Sequence, residues 1–219
     1  MSSTVVVEVF VWGNMKEVCI ILSILSIITA TVLYCHKVWT RKIHPTLSTW
    51  ITFLTGVVLS LVTFLLASDW NFKSNFLNTI DVFITSIIVA VIIARGTKKT
   101  HFRAFEKWYL VGAAFIIAYG FITGDAWHSN LFAQGLITLG YLPTIITMVT
   151  EKRNTESFAT WGVSEFTCLI ALYPVWTNGD VLAIVYLLRG IFMISLLLAL
   201  MAYYELRAKR ALVHQTMIV

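Results

Sequence analysis

The 219-residue chain is 58% hydrophobic and only 12% charged, with a mean hydropathy of +0.83 and a formal net charge of +5. Soluble domains carry about 25% charged residues, so this composition excludes an ordinary soluble domain and indicates an integral membrane protein. The positive charge is a poor indication of nucleic-acid binding, because the basic residues fall in short segments between apolar runs.

Seven apolar runs of about 20 residues, the length that spans a bilayer, follow one another along the chain. The alternation that is typical of β-barrel strands is absent. Residues 4–12 are expected to lie along the outer membrane interface. We predict an all-α polytopic membrane protein with spans at 18–36, 47–67, 75–94, 108–124, 129–150, 157–177 and 181–203.

The distribution of Lys and Arg predicts the orientation, because cytoplasmic loops retain positive charge. Thirteen of these residues follow the odd-numbered spans or precede the even-numbered ones, against two on the other side, with Arg189 inside the seventh span. We therefore expect an N-terminus outside, a cytoplasmic C-terminus and, as location, the plasma membrane. All eight tryptophans fall near predicted span ends, and Trp50 and Trp161 are expected to be interface anchors.

Two segments of the chain resemble each other at an offset of 111 residues. TRKIHPTLSTW (40–50) and EKRNTESFATW (151–161) both place a basic pair eight positions before a Thr-Trp pair. Each would enter the second helix of a three-helix unit. The match predicts two parallel three-helix repeats and a linking helix, a 3+1+3 plan, divided into 1–96, 97–126 and 127–206, with a cytoplasmic tail at 207–219.

This plan and the segment YLPTIITMVTEKRNTES (141–157) resemble the SWEET and PQ-loop (MtN3-like) transporter superfamily, of which the chain would be a divergent member. Pro143 stands at the signature proline of the first helix of a repeat, and Thr144 replaces the signature glutamine. The first repeat has Val32 and Leu33 at the equivalent place. The resemblance implies a substrate path between the repeats and a hinge at Pro143.

SWEET sugar transporters carry an asparagine in the third helix of each repeat. Asn78 stands at a matching place in the third span, and the offset of 111 carries it onto Arg189, so half of that pair is missing. This departure argues against simple sugar transport.

Buried charges identify the candidate site residues. Asp81 and Arg189 lie about 9 Å and about 12 Å into the third and seventh spans at 1.5 Å per residue. A charge at mid-bilayer costs about 3 kcal/mol on insertion scales, so these two are expected to face inward and to pair. Asn78 and Thr85 share the helix face of Asp81. Tyr141 and Gln134 are further candidates for lining the path.

Glu165 is the third buried charge, about 12 Å into the sixth span, with no partner evident in the sequence. It is the candidate for a proton-linked site. The alternatives remain open at this stage: Asp81 and Arg189 could only fix the helix register, and Glu165 could bond to a hydroxyl on a neighbouring helix.

The sequence favours a transporter or facilitator of small polar or charged solutes, working by alternating access in the lipid bilayer. The alternative is a membrane receptor or interaction protein on the same scaffold without net transport. Enzyme activity, a metal and a cofactor are not expected, because no metal-ligand cluster or phosphate-binding loop occurs and the last span has no retinal-binding lysine. A homo-oligomer is compatible with the sequence.

Overall fold

The computed structural model describes residues 3–43, 45, 47–95 and 104–216, and every regular element in these ranges is a helix. The helices are α1 (Ser3–Trp39), α2 (Leu47–Ala67), α3 (Phe76–Arg95), α4 (Ala104–Thr123), α5 (Ala126–Leu139), α6 (Leu142–Glu151), α7 (Phe158–Asn178) and α8 (Val181–Thr216). Within the described ranges, seven helical stretches are long and apolar enough to cross a membrane, with α5 and α6 together forming one. The predictions of an all-α fold and of seven spans are confirmed.

Two helices extend past their predicted spans. Residues 4–12, expected to lie along the interface, belong to α1 and are continuous with its span. The last helix runs to Thr216, beyond the predicted end of the span at 203. The basic residues predicted between the third and fourth spans fall largely within 96–103, outside the described residues.

Seven of the helices pack as two groups of similar arrangement, in which α5 and α6 together form one span. In the first group α3 contacts both α1 and α2, and in the second α8 contacts α5, α6 and α7. The groups meet where α1 packs against α7 and α2 packs against α5. Helix α4 contacts α2 and α5. We call the end of the bundle that carries the α1–α2 and α6–α7 loops the basic end, after Arg41, Lys42, Lys152 and Arg153.

The close contact of α2 with α4 and α5 depends on a glycine. A Cβ atom on Gly56 would lie 2.4 Å from the Tyr109 hydroxyl oxygen and 2.9 Å from Ile137 Cγ1. Small residues permit such close approach in membrane bundles, where packing rather than water exclusion drives association. The outer faces remain apolar, with Phe121 and Ile122 of α4 exposed by 88% and 83%, as expected for side chains in contact with lipid.

The fifth span is interrupted between α5 and α6, just before Pro143. Proline has no backbone N–H, and its ring clashes with the carbonyl of the residue four positions earlier; here that residue is Leu139, the last of α5. The Tyr141 amide instead donates to the Thr138 carbonyl oxygen at 3.2 Å, a tightened turn. Pro143 therefore lies at the break between α5 and α6, and its role as a hinge stays a prediction.

Candidate functional site

A cavity of about 520 Å³ lies between the two helix groups. Its walls come mainly from α1, α2 and α3 on one side and from α6, α7 and α8 on the other, and Glu106 of α4 and Ile137 of α5 complete the lining. It extends from Leu77 and Tyr186 inside the bundle to Pro45 and Glu156 in the loops of the basic end. The volume suits a small molecule, since ligand pockets span about 300 to 1,000 Å³.

Asp81 and Arg189 both line the deep part of the cavity, but they do not form the expected direct pair. Asp81 accepts a hydrogen bond from the Tyr186 hydroxyl, and the Arg189 guanidinium carbon lies 4.8 Å from the centroid of the Tyr186 ring. Among the described residues no ion pair within 4.0 Å joins the two charges. Tyr186 thus contacts both charged side chains.

The Arg189 side chain is tied to a polar network by one nitrogen. Its Nε donates to Gln134 Oε1 at 3.0 Å, while its buried Nη1 atom has no hydrogen-bond partner in the described part of the chain. An unpaired buried donor costs about 1–3 kcal/mol. A polar group in the cavity could remove this penalty by accepting a hydrogen bond from Nη1.

The polar network closes the deep end of the cavity. Gln134 Nε2 donates to Ser60 Oγ at 2.9 Å and to Asn130 Oδ1 at 3.2 Å, and Asn130 Nδ2 donates to the Ser60 carbonyl oxygen at 2.7 Å. The Asn78 side-chain amide lies 2.8 Å from Ser60 Oγ. Four helices, α2, α3, α5 and α8, are joined in this way.

The predicted site residues therefore separate into three sets. Asp81, Arg189, Thr85, Tyr141 and Pro143 line the cavity. Asn78 and Gln134 do not line it; they are buried in the network behind its deep end.

Glu165 also lies outside the set of cavity-lining residues. Its Oε1 accepts a hydrogen bond from Ser195 Oγ at 2.6 Å, which joins α7 to α8. The structure thus shows the arrangement that the sequence left as the alternative, a bond to a hydroxyl on a neighbouring helix.

Aromatic side chains line the cavity between its deep end and its mouth. Ring centroids are 4.9 Å apart for Tyr34 and Trp50, 6.0 Å for Trp50 and Phe53, 5.1 Å for Phe53 and Tyr141, and 5.9 Å for Tyr141 and Trp161. We call these five residues the aromatic arc. Trp50 and Trp161, predicted to be interface anchors, belong to it, because their side chains turn inward to the cavity rather than outward.

The mouth of the cavity contains a carboxylate. Glu156 Oε2 accepts a hydrogen bond from Trp161 Nε1 at 3.1 Å. Burial raises the pKa of Glu156, and this hydrogen bond partly opposes the rise. Beside it, Lys37 of α1 donates to Ser157 Oγ, which also caps α7 by accepting from the Thr160 amide at 3.4 Å. The mouth is therefore built from both helix groups.

The offset of 111 residues holds for α2 and α7 and then fails. Both helices have 21 residues and begin at Leu47 and Phe158. Each cavity-lining residue of α2 has a cavity-lining counterpart in α7 at this offset: Thr49 with Thr160, Trp50 with Trp161, Phe53 with Ser164 and Val57 with Cys168; α7 adds Thr167. The expected correspondence of Asn78 with Arg189 is wrong, because residues 68–75 separate α2 from α3 whereas only residues 179–180 separate α7 from α8.

The cavity-lining residues that the sequence did not predict include two acids and two tyrosines: Glu156, Glu106, Tyr186 and Tyr34. A signal existed for Tyr186, which precedes Arg189 by three residues and so shares its helix face. For the others no local pattern distinguishes a cavity-lining residue from a packed or interfacial one.

In the part of the chain that the structure describes, no group of three or more His, Cys, Asp or Glu side chains could hold a metal ion. Comparison of the chain with protein-family models, with curated proteins and with solved structures finds no match. The SWEET and PQ-loop resemblance stays a prediction.

Proposed function

We propose that this protein is a small-molecule transporter or facilitator that works by alternating access between its two three-helix groups. The observation that carries the proposal is the cavity itself, which lies between the groups, takes walls from both and reaches one end of the bundle. A path of this position changes access when one group rocks against the other.

The similar packing of the two groups supports the proposed repeat. In each group the third helix packs against the first and second, and the groups meet through first-to-second helix contacts, α1 with α7 and α5 with α2. The matched lining positions of α2 and α7 add a second line of support. With the basic end cytoplasmic, as the Lys and Arg distribution predicts, the N-terminus lies outside and this conformation faces inward.

Contacts at the two ends of the bundle indicate which hydrogen bonds between the helix groups the proposed movement would break or keep. At the end opposite the basic one, Lys16 of α1 donates to Asn178 of α7, and the polar network around Ser60 lies below that contact. At the basic end Lys37 of α1 donates to Ser157. We propose that transport requires the contacts of the opposite end to open while the basic end closes.

The first experiment identifies a ligand by thermal stabilisation of the purified protein. Sugars, amino acids, organic acids, nucleosides, vitamins and amines are compared, since a ligand at a hundred times its dissociation constant adds about 2.7 kcal/mol to the stability of the folded state. Uptake of the ligand found is then measured in proteoliposomes.

The second experiment tests alternating access by a reversible cross-link. Lys16→Cys and Asn178→Cys are combined in a chain whose three native cysteines are replaced by alanine. A bifunctional methanethiosulfonate reagent that joins the two cysteines should abolish uptake and reduction should restore it, because the link holds α1 to α7 at the end that must open. A reagent that spans several ångströms is used because the contact is made by the long Lys16 side chain, which places the Cβ atoms beyond the reach of a direct disulfide.

The matched control for the cross-link is Asn71→Cys with Ser74→Cys, a pair within the α2–α3 loop whose side chains are 3.4 Å apart. It should leave uptake unchanged with and without the cross-link. Full uptake with the Lys16–Asn178 pair completely cross-linked would refute the mechanism. Saturable binding without any uptake would favour a receptor or interaction protein.

A further inference from the structure

The aromatic arc and Glu156 together enclose the part of the cavity nearest its mouth. Trp161, at one end of the arc, donates to the Glu156 carboxylate at 3.1 Å. Tyr34, at the other end, lines the same cavity as Glu156. The carboxylate therefore lies beside the arc, in contact with its Trp161 end.

Both indole N–H groups of the arc are already engaged. Trp50 Nε1 donates to the Tyr34 hydroxyl at 3.1 Å, and Trp161 Nε1 donates to Glu156. Neither indole is left to donate to a ligand. What the arc offers is ring surface, together with one carboxylate.

Ring faces and a carboxylate favour a cation. The quadrupole of an aromatic ring attracts a positive charge above its face, and aromatic cages bind quaternary ammonium groups in this way. Among the described lining residues the cation is Arg189. It lies toward the deep end, where Asp81, which bonds to the tyrosine that Arg189 contacts, offsets its charge.

We infer that the cavity binds an organic cation, an amine or a quaternary ammonium compound, with the charged nitrogen inside the aromatic arc beside Glu156. A polar group on the same molecule would reach the unpaired Nη1 of Arg189. This inference names the substrate class of the cavity and so rests on the proposed transport function.

The test compares two probes of the same shape, choline and its neutral carbon isostere 3,3-dimethylbutan-1-ol. Binding to the purified full-length protein is measured by isothermal titration calorimetry. Choline should bind about tenfold more tightly, the size expected of a partly desolvated cation–π site. This comparison uses the unmodified chain and so does not depend on the folding of any variant.

Variants then locate the bound charge. Glu156→Gln and Trp50→Leu should each weaken choline binding about tenfold and leave the affinity for the alcohol unchanged. Controls are Glu151→Gln, an exposed acid paired with Arg153 at 2.7 Å, and Trp176→Leu, an exposed tryptophan away from the cavity. Both should bind choline like the unmodified protein.

Two outcomes overturn the inference: equal affinity for choline and the alcohol, or choline binding that Glu156→Gln and Trp50→Leu leave unchanged. Choline uptake into proteoliposomes separates this result from the transport proposal. Specific choline binding without uptake would refute transport and keep the ligand class. Uptake of a non-cationic solute without choline binding would refute the ligand class and keep the transport proposal.

Discussion

Ser60→Ala should destabilise the bundle more than any other serine-to-alanine change in its spans, because one hydroxyl serves two helices. Ser60 Oγ lies 2.8 Å from the Asn78 side-chain amide and 2.9 Å from Gln134 Nε2. Hydrogen bonds between helices in a membrane contribute about 0.6 kcal/mol on average and up to about 1.7. Losing two predicts a decrease of about 1–2 kcal/mol in the free energy of unfolding.

A matched control is available in α1. Ser23 is as buried as Ser60, at 0% exposure for both, but its hydroxyl donates only to the Cys19 carbonyl oxygen of its own helix, at 2.7 Å. Ser23→Ala breaks no contact between helices and should cost little.

The assay is reversible unfolding of both variants in mixed detergent micelles with increasing denaturing detergent. Equal stability of Ser60→Ala and Ser23→Ala would refute the conclusion that the network joins the helices. A large loss in Ser23→Ala would show instead that burial of the hydroxyl, not its partners, sets the cost.

Four further outcomes are expected. Gly56→Ala should lower the unfolding free energy by about 1–3 kcal/mol through overpacking, and adding Tyr109→Phe, which removes the oxygen 2.4 Å from the new Cβ, should recover part of it in the same unfolding assay. Pro143→Ala, which restores a backbone donor, should slow uptake and leave ligand affinity unchanged; a calorimetric loss of affinity would contradict this. Burial raises the pKa of Glu156 in the folded protein. Between the usual carboxyl pKa and this raised pKa, the folded state therefore binds more protons than the unfolded state. The melting temperature should fall as pH rises through that window. Glu156→Gln should flatten this dependence of the melting temperature on pH. An unchanged slope would refute the conclusion that the raised pKa of Glu156 causes it. Glu165→Gln should leave uptake and its pH dependence unchanged, because Glu165 is bonded to Ser195 outside the cavity; a lost pH dependence would make it the proton-linked site after all.

The seven spans could be predicted from local composition alone. In a bilayer each helix must satisfy its own backbone hydrogen bonds, so an apolar run of sufficient length specifies its structure without reference to the rest of the chain. Pro143, in the first turn of α6, also acts locally, since a missing N–H interrupts a helix wherever the proline stands. The positions of Asp81 and Arg189 on the cavity wall also followed from the cost of exposing a charge to lipid.

The hydrogen-bond partners of these two charged residues could not be predicted from the sequence. The sequence placed Asp81 against Arg189, whereas Asp81 bonds to Tyr186 and Arg189 to Gln134. The alignment of Asn78 with Arg189 failed because two loops differ in length, which shifts one helix against its counterpart.

What the sequence by itself determined is therefore the number and type of the spans and which of them carry charge, all of which depend on each segment and its solvent. Only the tertiary structure decided that Trp50 and Trp161 turn inward, that Glu156 meets the aromatic arc, and that Asn78 and Gln134 close the cavity rather than line it. Those outcomes depend on the rotation of each helix about its axis and on its register against its neighbours. Both are set by packing between segments that are distant in the chain.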